Sequence, residues 1–305
     1  MRRNEQGTAP VAAVAVLAGI VVVLLAVPLA LHVAQKRHNR LDFPVEQLFP
    51  KEKRIVGGEV LASTIVALLE HELEGFSGWR PNDFFLWGPG LLADNNANRQ
   101  LGILQGVRET MRVFKDHLTK VSSDEFDAQL VRADTAFRND PTKFWLPSAE
   151  SKLREGCRAL RAYIEGLHAS PMRSRPINQR NVELIRLFQA WTDLLGDAHA
   201  RLYRHEVGFF RTDDEFYYAQ GVTHALHFLV RAIGREYQDS FAGHPVLSTL
   251  IAEVAQALGT AATLKPIIVL DGRPDGLFAN HRRNLDGFVT EARQKMYSIR
   301  EELEK

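Results

Sequence analysis

Apolar residues recur at intervals of three and four along most of the chain. This is the period of a helix with one buried face. Eight stripes of this kind are predicted, over residues 61–73, 101–121, 126–137, 153–167, 184–202, 222–237, 247–258 and 285–303. Only residues 267–270 look extended, and one short run cannot make a sheet. The predicted fold class is all-α: a multi-helix bundle, either single or made of two sub-bundles divided near residues 170–176, where prolines interrupt the pattern.

The first apolar run differs from the stripes because it has no polar face. Val11 to Leu31 carries no charged and no strongly polar side chain. A helix of this length rises about 30 Å at ~1.5 Å per residue, which matches the hydrocarbon core of a bilayer. We predict an uncleaved transmembrane helix at 11–31 that contacts the lipid bilayer; a cleaved signal peptide is the alternative. The predicted order is a tail at 1–10, the span, a stalk at 32–56 and a helical domain at 57–305.

The charges that flank the run bear on its orientation. Lys36, Arg37 and Arg40 follow it, whereas only Arg2 and Arg3 precede it. This count favours a cytoplasmic C-terminal side. Against it, the N-terminal tail is short and arginine-bearing, and large downstream domains translocate largely regardless of charge. We predict that the N-terminus is inside and the helical domain is periplasmic.

Composition excludes several classes of protein. The 305 residues include 38 basic and 37 acidic side chains, for a net charge of +1, so no strong field attracts nucleic acid. Cys157 is the single cysteine, which excludes an internal disulfide framework and cysteine-rich metal sites. No metal or cofactor is predicted, and no nucleic-acid partner.

Three polar clusters are candidates for function. The first, in the loop 75–99, contains Trp79, Asn82, Asp83 and Asp94, and long loops with aromatic anchors are often functional. The competing interpretation is that its aromatic rings cover the end of the bundle while an asparagine caps the next helix.

The second cluster, Asp213, Asp214 and Tyr217, leads along one helix to His224, and the third is Asn280 with His281. Helix capping and a buried polar network are the competing interpretations. Because the first two clusters both combine aromatic rings with acids and amides, we predict that they lie at the same end of the bundle and form a shared surface.

The order of several short motifs resembles a known family. The motifs are Trp79-x-Pro81-Asn82-Asp83, Asp94-Asn95, Asn98-x-Gln100-x-Gly102, Pro147-Ser148-x-x-Ser151, Asp213-Asp214-x-Phe216-Tyr217-Tyr218-x-x-Gly221 and Pro274-Asp275-Gly276 with Asn280-His281. Together they resemble a proteobacterial family of single-span, membrane-anchored helical proteins that share a conserved domain of unknown function. The resemblance implies the inner membrane of a Gram-negative bacterium. It supplies no reaction, cofactor or catalytic residue.

Two functional hypotheses follow from the sequence, and a weaker third is a metal-binding bundle that uses His224 and His227, which lie three residues apart. The first is a membrane-anchored envelope protein that binds an envelope protein partner or scaffolds an assembly. The alternative is an envelope hydrolase that uses the Asp, Asn and His groups of the three clusters, which requires these groups to converge on one substrate atom. Catalytic residues are not assigned.

Overall fold

The computed structural model describes residues 8–38, 43–75, 78–82, 95–120, 125–204, 208, 211–266, 268–273 and 276–305. The regular structure in these ranges is helical, which confirms the predicted all-α class. The helices are α1 Thr8–His38, α2 Val45–Leu48, α3 Glu59–Glu74, α4 Asn95–Val113, α5 Ala128–Phe137, α6 Ala149–Leu167, α7 Asn181–Tyr203, α8 Thr212–Glu236, α9 Gln238–Phe241, α10 Pro245–Thr263 and α11 His281–Leu303.

The predicted stripes correspond to α3–α8, α10 and α11. The second stripe continues from α4 into a π-helical turn, Phe114–Leu118, that the period alone does not distinguish. Within the described ranges the only β-type pairing is an isolated antiparallel bridge between Asp271 and Asn280. Of the run predicted to be extended, residues 268–270 therefore precede a bridge rather than form a strand, and Ile267 lies outside the described residues.

Helix α8 is the centre of the bundle. It packs against α3, α4, α7, α10 and α11, while α6 packs against α3 and α5. The apolar faces of these helices form one continuous core, in which Phe188, Trp191 and Phe216 are fully buried. The indole nitrogen of Trp191 donates to Thr110 at 2.9 Å, so the largest buried ring has its hydrogen bond satisfied.

The segment that follows α1 is attached to the C-terminal end of α8. Phe43, Val45 and Phe49 are buried. The Arg235 guanidinium donates to the carbonyl oxygens of Phe49 at 2.7 Å and Lys53 at 2.6 Å. The second half of the predicted stalk, from Phe43 onward, thus lies against the bundle. We call this end of the bundle, where α8 ends and residues 43–53 dock, the proximal end.

The proline-bearing segment 170–176 also lies against the bundle. The Tyr163 hydroxyl donates to the Arg175 carbonyl at 2.7 Å, and the Arg175 amide donates to Asp127 at 2.9 Å. The Ile177 amide donates to the Gly57 carbonyl at 2.9 Å. The segment separates α6 from α7 along the chain, and a division into two sub-bundles stays a prediction.

Two helices are conspicuously apolar. Among the described residues, α10 is the one helix long and apolar enough to span a membrane. Its Leu247, Val254 and Leu258 are buried in the core, and its opposite face is exposed, as in a helix at the surface of a globular domain. In α1 the shorter apolar stretch Val11–Val23 has its side chains about half to two-thirds exposed.

Candidate functional site

Helices α4 and α8 cross in direct backbone contact near their N-terminal ends. A Cβ atom on Gly221 would lie 1.9 Å from the Arg99 carbonyl oxygen, and one on Gly102 would lie 2.1 Å from the backbone of α8. Glycine is therefore required at both positions. Beside the crossing, the side-chain amide of Asn98 donates to the Asp214 carboxylate at 2.7 Å. We call this end of the bundle, where α8 begins, the distal end.

A buried ion pair joins the end of α3 to the start of α4. Arg99 Nη1 lies 2.9 and 3.1 Å from the two carboxylate oxygens of Glu72, and both side chains are 2% exposed. The side-chain amide nitrogen of Gln100 donates to Glu72 at 3.1 Å and to the Gly78 carbonyl at 2.9 Å. The side-chain oxygen of Gln100 accepts from the Arg80 backbone amide at 2.8 Å. A buried pair of this kind is sensitive to the loss of either partner.

The first predicted cluster is attached to the start of α6. Trp79 donates from its indole nitrogen to the Pro141 carbonyl at 2.8 Å. The Asn82 amide donates to Glu150 at 2.8 Å and to the Lys143 carbonyl at 3.3 Å. Trp79 and Asn82 are buried, and they fix the α5–α6 loop. The other two predicted members of this cluster, Asp83 and Asp94, lie outside the described residues.

The second predicted cluster occupies the first two turns of α8. Burial raises the pKa of Asp213, against the lowering effect of backbone N–H donors at the helix start. Burial also raises the pKa of Tyr217, and the neighbouring Asp213 adds to this shift. Next to them, Glu215 lies 3.3 Å from Arg201 and 3.8 Å from Arg204, at the end of α7.

The third predicted cluster caps α11. Asn280 Oδ1 accepts from the Arg283 amide at 2.9 Å, the arrangement of an N-cap, and its Nδ2 donates to the Gly272 carbonyl at 2.6 Å. His281 Nδ1 accepts from the Leu270 amide at 3.0 Å. Both side chains therefore fix the loop that leads into the helix.

Arg282 connects the third cluster to the second. Its guanidinium is buried and donates to Asp271 at 2.9 Å. It also donates to the carbonyl oxygens of Arg201 at 3.0 Å and Arg204 at 2.8 Å, which end α7. A guanidinium that binds the last carbonyl groups of a helix satisfies their otherwise unpaired acceptors.

His224 lies inside the bundle, one turn beyond the α4–α8 crossing. Burial, reinforced by the nearby Arg99, holds its pKa well below the usual range, so the ring is neutral. His227 points elsewhere, with Nδ1 2.7 Å from the Ala255 carbonyl oxygen. Within the part of the chain that the structure describes, no group of three His, Cys, Asp or Glu side chains is placed to hold a metal ion.

The contacts thus bring the described residues of the three clusters to the distal end. The start of α4 holds the Trp79 loop through Gln100 and the start of α8 through Asn98, so these two clusters lie at the same end. Trp79, Asn82, Tyr217 and His224 are buried there. That the clusters form one functional surface stays a prediction.

Sequence reasoning missed a carboxylate at the proximal end. Glu236 accepts hydrogen bonds from the backbone amides of Gly58 at 3.0 Å, Val60 at 2.8 Å and Leu61 at 3.0 Å, that is, from the N-cap and the first turn of α3. Burial raises the pKa of Glu236 to about 7, although these three donors act to lower it. Glu236 follows Ile233 by three residues, so it lies on the apolar stripe of α8. A charged residue on such a stripe is the feature of the sequence that could have indicated a buried carboxylate.

The sequence matches a protein family described as an uncharacterized protein conserved in bacteria, DUF2333, over residues 4–205 and 198–305. These ranges cover nearly the whole chain, so the chain belongs to this family. Comparisons with curated proteins and with solved structures gave no match.

Proposed function

We propose that this member of a bacterial family is a membrane-anchored binding module: α1 holds the chain in a bilayer, and the bundle meets a partner at its distal end. The observation that carries the anchor is the exposure of α1. Val11, Val14, Val16 and Leu17 are 68, 67, 62 and 64% exposed, which is costly in water and favourable in lipid.

The length of α1 supports the same assignment. Its 31 residues rise about 46 Å at ~1.5 Å per residue, which exceeds the ~30 Å hydrocarbon core. The predicted span, 11–31, lies within this helix. Helix α10 is also apolar, but its large apolar side chains Leu247, Val254 and Leu258 pack in the core of the bundle. Helix α1 is therefore the better candidate for the anchor.

Alkaline carbonate extraction of membranes tests the anchor. We expect the full chain to stay in the membrane pellet. The double substitution Val16→Glu and Val22→Glu places two carboxylates in the span and should release the chain into the supernatant. Val246→Glu is the matched control, because Val246 is 53% exposed on α10. Release of the unsubstituted chain, or equal release by the control, would refute the assignment.

We place the N-terminus in the cytoplasm and the bundle in the periplasm, at the inner membrane. The short tail with Arg2 and Arg3 supports this orientation, whereas Lys36, Arg37 and Arg40 oppose it. Alkaline phosphatase fused after Lys305 should be active, because this enzyme matures in the periplasm. Activity only of a cytoplasm-dependent reporter would reverse the orientation.

The binding role is supported by the way the chain enters the bundle. Residues 43–53 dock at the proximal end, only a few residues after α1 ends at His38. Helix α8 has 25 residues and is about 37 Å long, so the distal end lies about one helix length from the point where residues 43–53 dock; α1 itself also contacts α4. A partner that approaches from outside the membrane would meet this end.

A further inference from the structure

The loop between α5 and α6 carries exposed apolar side chains at the distal end. Trp145 is 76% and Leu146 is 92% exposed. The base of the loop is held by the Trp79 and Asn82 side chains, which donate to the carbonyl groups of Pro141 and Lys143. The two apolar side chains therefore protrude from a fixed base.

The loop between α10 and α11 has the same character. Leu277 is 101% and Phe278 is 71% exposed. Its base is fixed by the bond from Asn280 Nδ2 to the Gly272 carbonyl and by the bond from the Gly272 amide to the Ala279 carbonyl at 3.1 Å. The loop also lies at the distal end, because the Gln220 side chain of α8 donates to the carbonyl of Leu264, directly after α10.

We propose that these two loops insert into a second, anionic lipid surface, so that the protein joins two membranes: α1 in one and the distal end on the other. This inference rests on the proposed anchoring by α1. Trp145, Leu146, Leu277 and Phe278 are the inserting residues.

The shape of the loops favours lipid over a protein partner. Leu146 and Leu277 protrude almost fully, so they do not line a groove into which a segment would fit. A lipid headgroup layer adapts to isolated apolar protrusions, whereas a protein would need a matching pocket for each. Trp145 is also the residue type that prefers the boundary between headgroups and acyl chains.

Exposed arginines at the distal end support an anionic surface. Arg211 and Arg273 are exposed there, as is Arg204, which lies 3.8 Å from Glu215. The exposed carboxylates at this end include Asp271, paired with the buried Arg282 at 2.9 Å, and Asp140 in the α5–α6 loop, which accepts from the Thr142 backbone amide at 2.9 Å. Basic side chains next to inserted apolar residues attract anionic lipid headgroups.

A single fluorescent label on the full chain tests the proposal. Cys157 is 2% exposed, and burial raises the pKa of its thiol to about 12, so it does not compete for a thiol reagent. Leu146→Cys then provides one reactive site at the distal end. Val182→Cys is the matched control, because Val182 is 58% exposed at the start of α7, at the proximal end. Each variant carries an environment-sensitive dye and is placed in nanodiscs through α1.

Vesicles of phosphatidylcholine with phosphatidylglycerol are then added. We expect the emission of the dye at position 146 to shift to the blue and to be quenched by spin-labelled lipid in the vesicles, with no change at position 182. Adding Leu277→Ser and Phe278→Ser to the Leu146→Cys chain should weaken its affinity for vesicles at least about tenfold, because two apolar insertions are lost.

Three results would overturn the proposal. The first is an unchanged emission at position 146 with excess vesicles. The second is equal affinity for vesicles without phosphatidylglycerol. The third is a blue shift that depends on protein concentration without vesicles, which would assign the loops to a contact between two copies. Loss of the chain from the nanodiscs would instead refute the anchor, and the released chain could be mixed directly with vesicles to test the loops.

Discussion

Replacement of Glu236 tests whether one buried carboxylate holds the start of α3 against the end of α8. In Glu236→Ala the amides of Gly58, Val60 and Leu61 lose their acceptor inside the protein. An unsatisfied buried group costs roughly 1–3 kcal/mol, and removing one partner of a buried charged interaction costs roughly 3–5 kcal/mol. We expect the free energy of unfolding to fall by about 3 kcal/mol, because Glu236→Ala also relieves the cost of burying the carboxylate.

The same residue predicts a pH dependence of stability. Burial raises the pKa of Glu236 from 4.5 to about 7. Since the folded state then binds the proton more tightly than the unfolded state, this group favours folding at low pH. That contribution is lost as the pH rises from about 4.5 through 7. A difference of about 2.5 pKa units at ~1.4 kcal/mol per unit corresponds to about 3 kcal/mol.

The assay is urea unfolding of the full chain in detergent, followed by circular dichroism between pH 4.5 and 8. The free energy of unfolding of the wild type, minus that of Glu236→Gln, should fall by about 3 kcal/mol over this range. Glu52→Gln, which replaces an exposed carboxylate, controls for the change in net charge. A difference in the free energy of unfolding between the wild type and Glu236→Gln that is the same at every pH tested would show that the three N–H donors offset the effect of burial on the pKa of Glu236. The reasoning would then be wrong.

Three further substitutions test the packing. Gly221→Ala should lower the free energy of unfolding by about 3 kcal/mol, because its Cβ would clash with the Arg99 carbonyl and separate α4 from α8. Gly287→Ala, in α11, should raise it by up to about 1 kcal/mol, because its Cβ would meet no neighbouring element within 4 Å. Equal effects of the two substitutions would refute the close crossing. Glu72→Gln should lower the free energy of unfolding by about 3–5 kcal/mol, since Arg99 stays buried without its carboxylate. A change near zero would contradict an ion pair buried away from water. Asn280→Ala should cost about 1 kcal/mol through the lost cap of α11, and no change in urea unfolding would exclude the cap.

The helices were predictable because each keeps one apolar face. In α8 the stripe Val222, Leu226, Leu229 and Ile233 is fully buried, as the spacing indicates. The same period says nothing about which helices meet. The α4–α8 crossing depends on Gly221, which the sequence alone marks only as a weak helix former. Its role becomes visible in the structure, where the backbone of α4 lies against it.

Charged residues on the core side were less predictable. Glu72 lies beside Leu73, and Arg99 follows an asparagine-rich helix start, so both look like surface positions in the sequence. They are buried because each neutralises the other, and this compensation involves residues 27 positions apart. A pattern read along one helix contains no information about such a partner.

The predicted polar clusters and the exposed loops differ in what folding requires of them. Buried amides and carboxylates need partners, and helix starts need acceptors for their free N–H groups. Asn82, which bonds to the start of α6, and Asp214 and Asn280, which lie at helix starts, each meet such a need, so the fold alone explains their presence. Folding gives no comparable reason for Leu146 and Leu277 to stand in water, where an apolar surface is costly. The apolar loop residues, rather than the polar clusters, are therefore the ones on which the proposed contact with a second membrane rests.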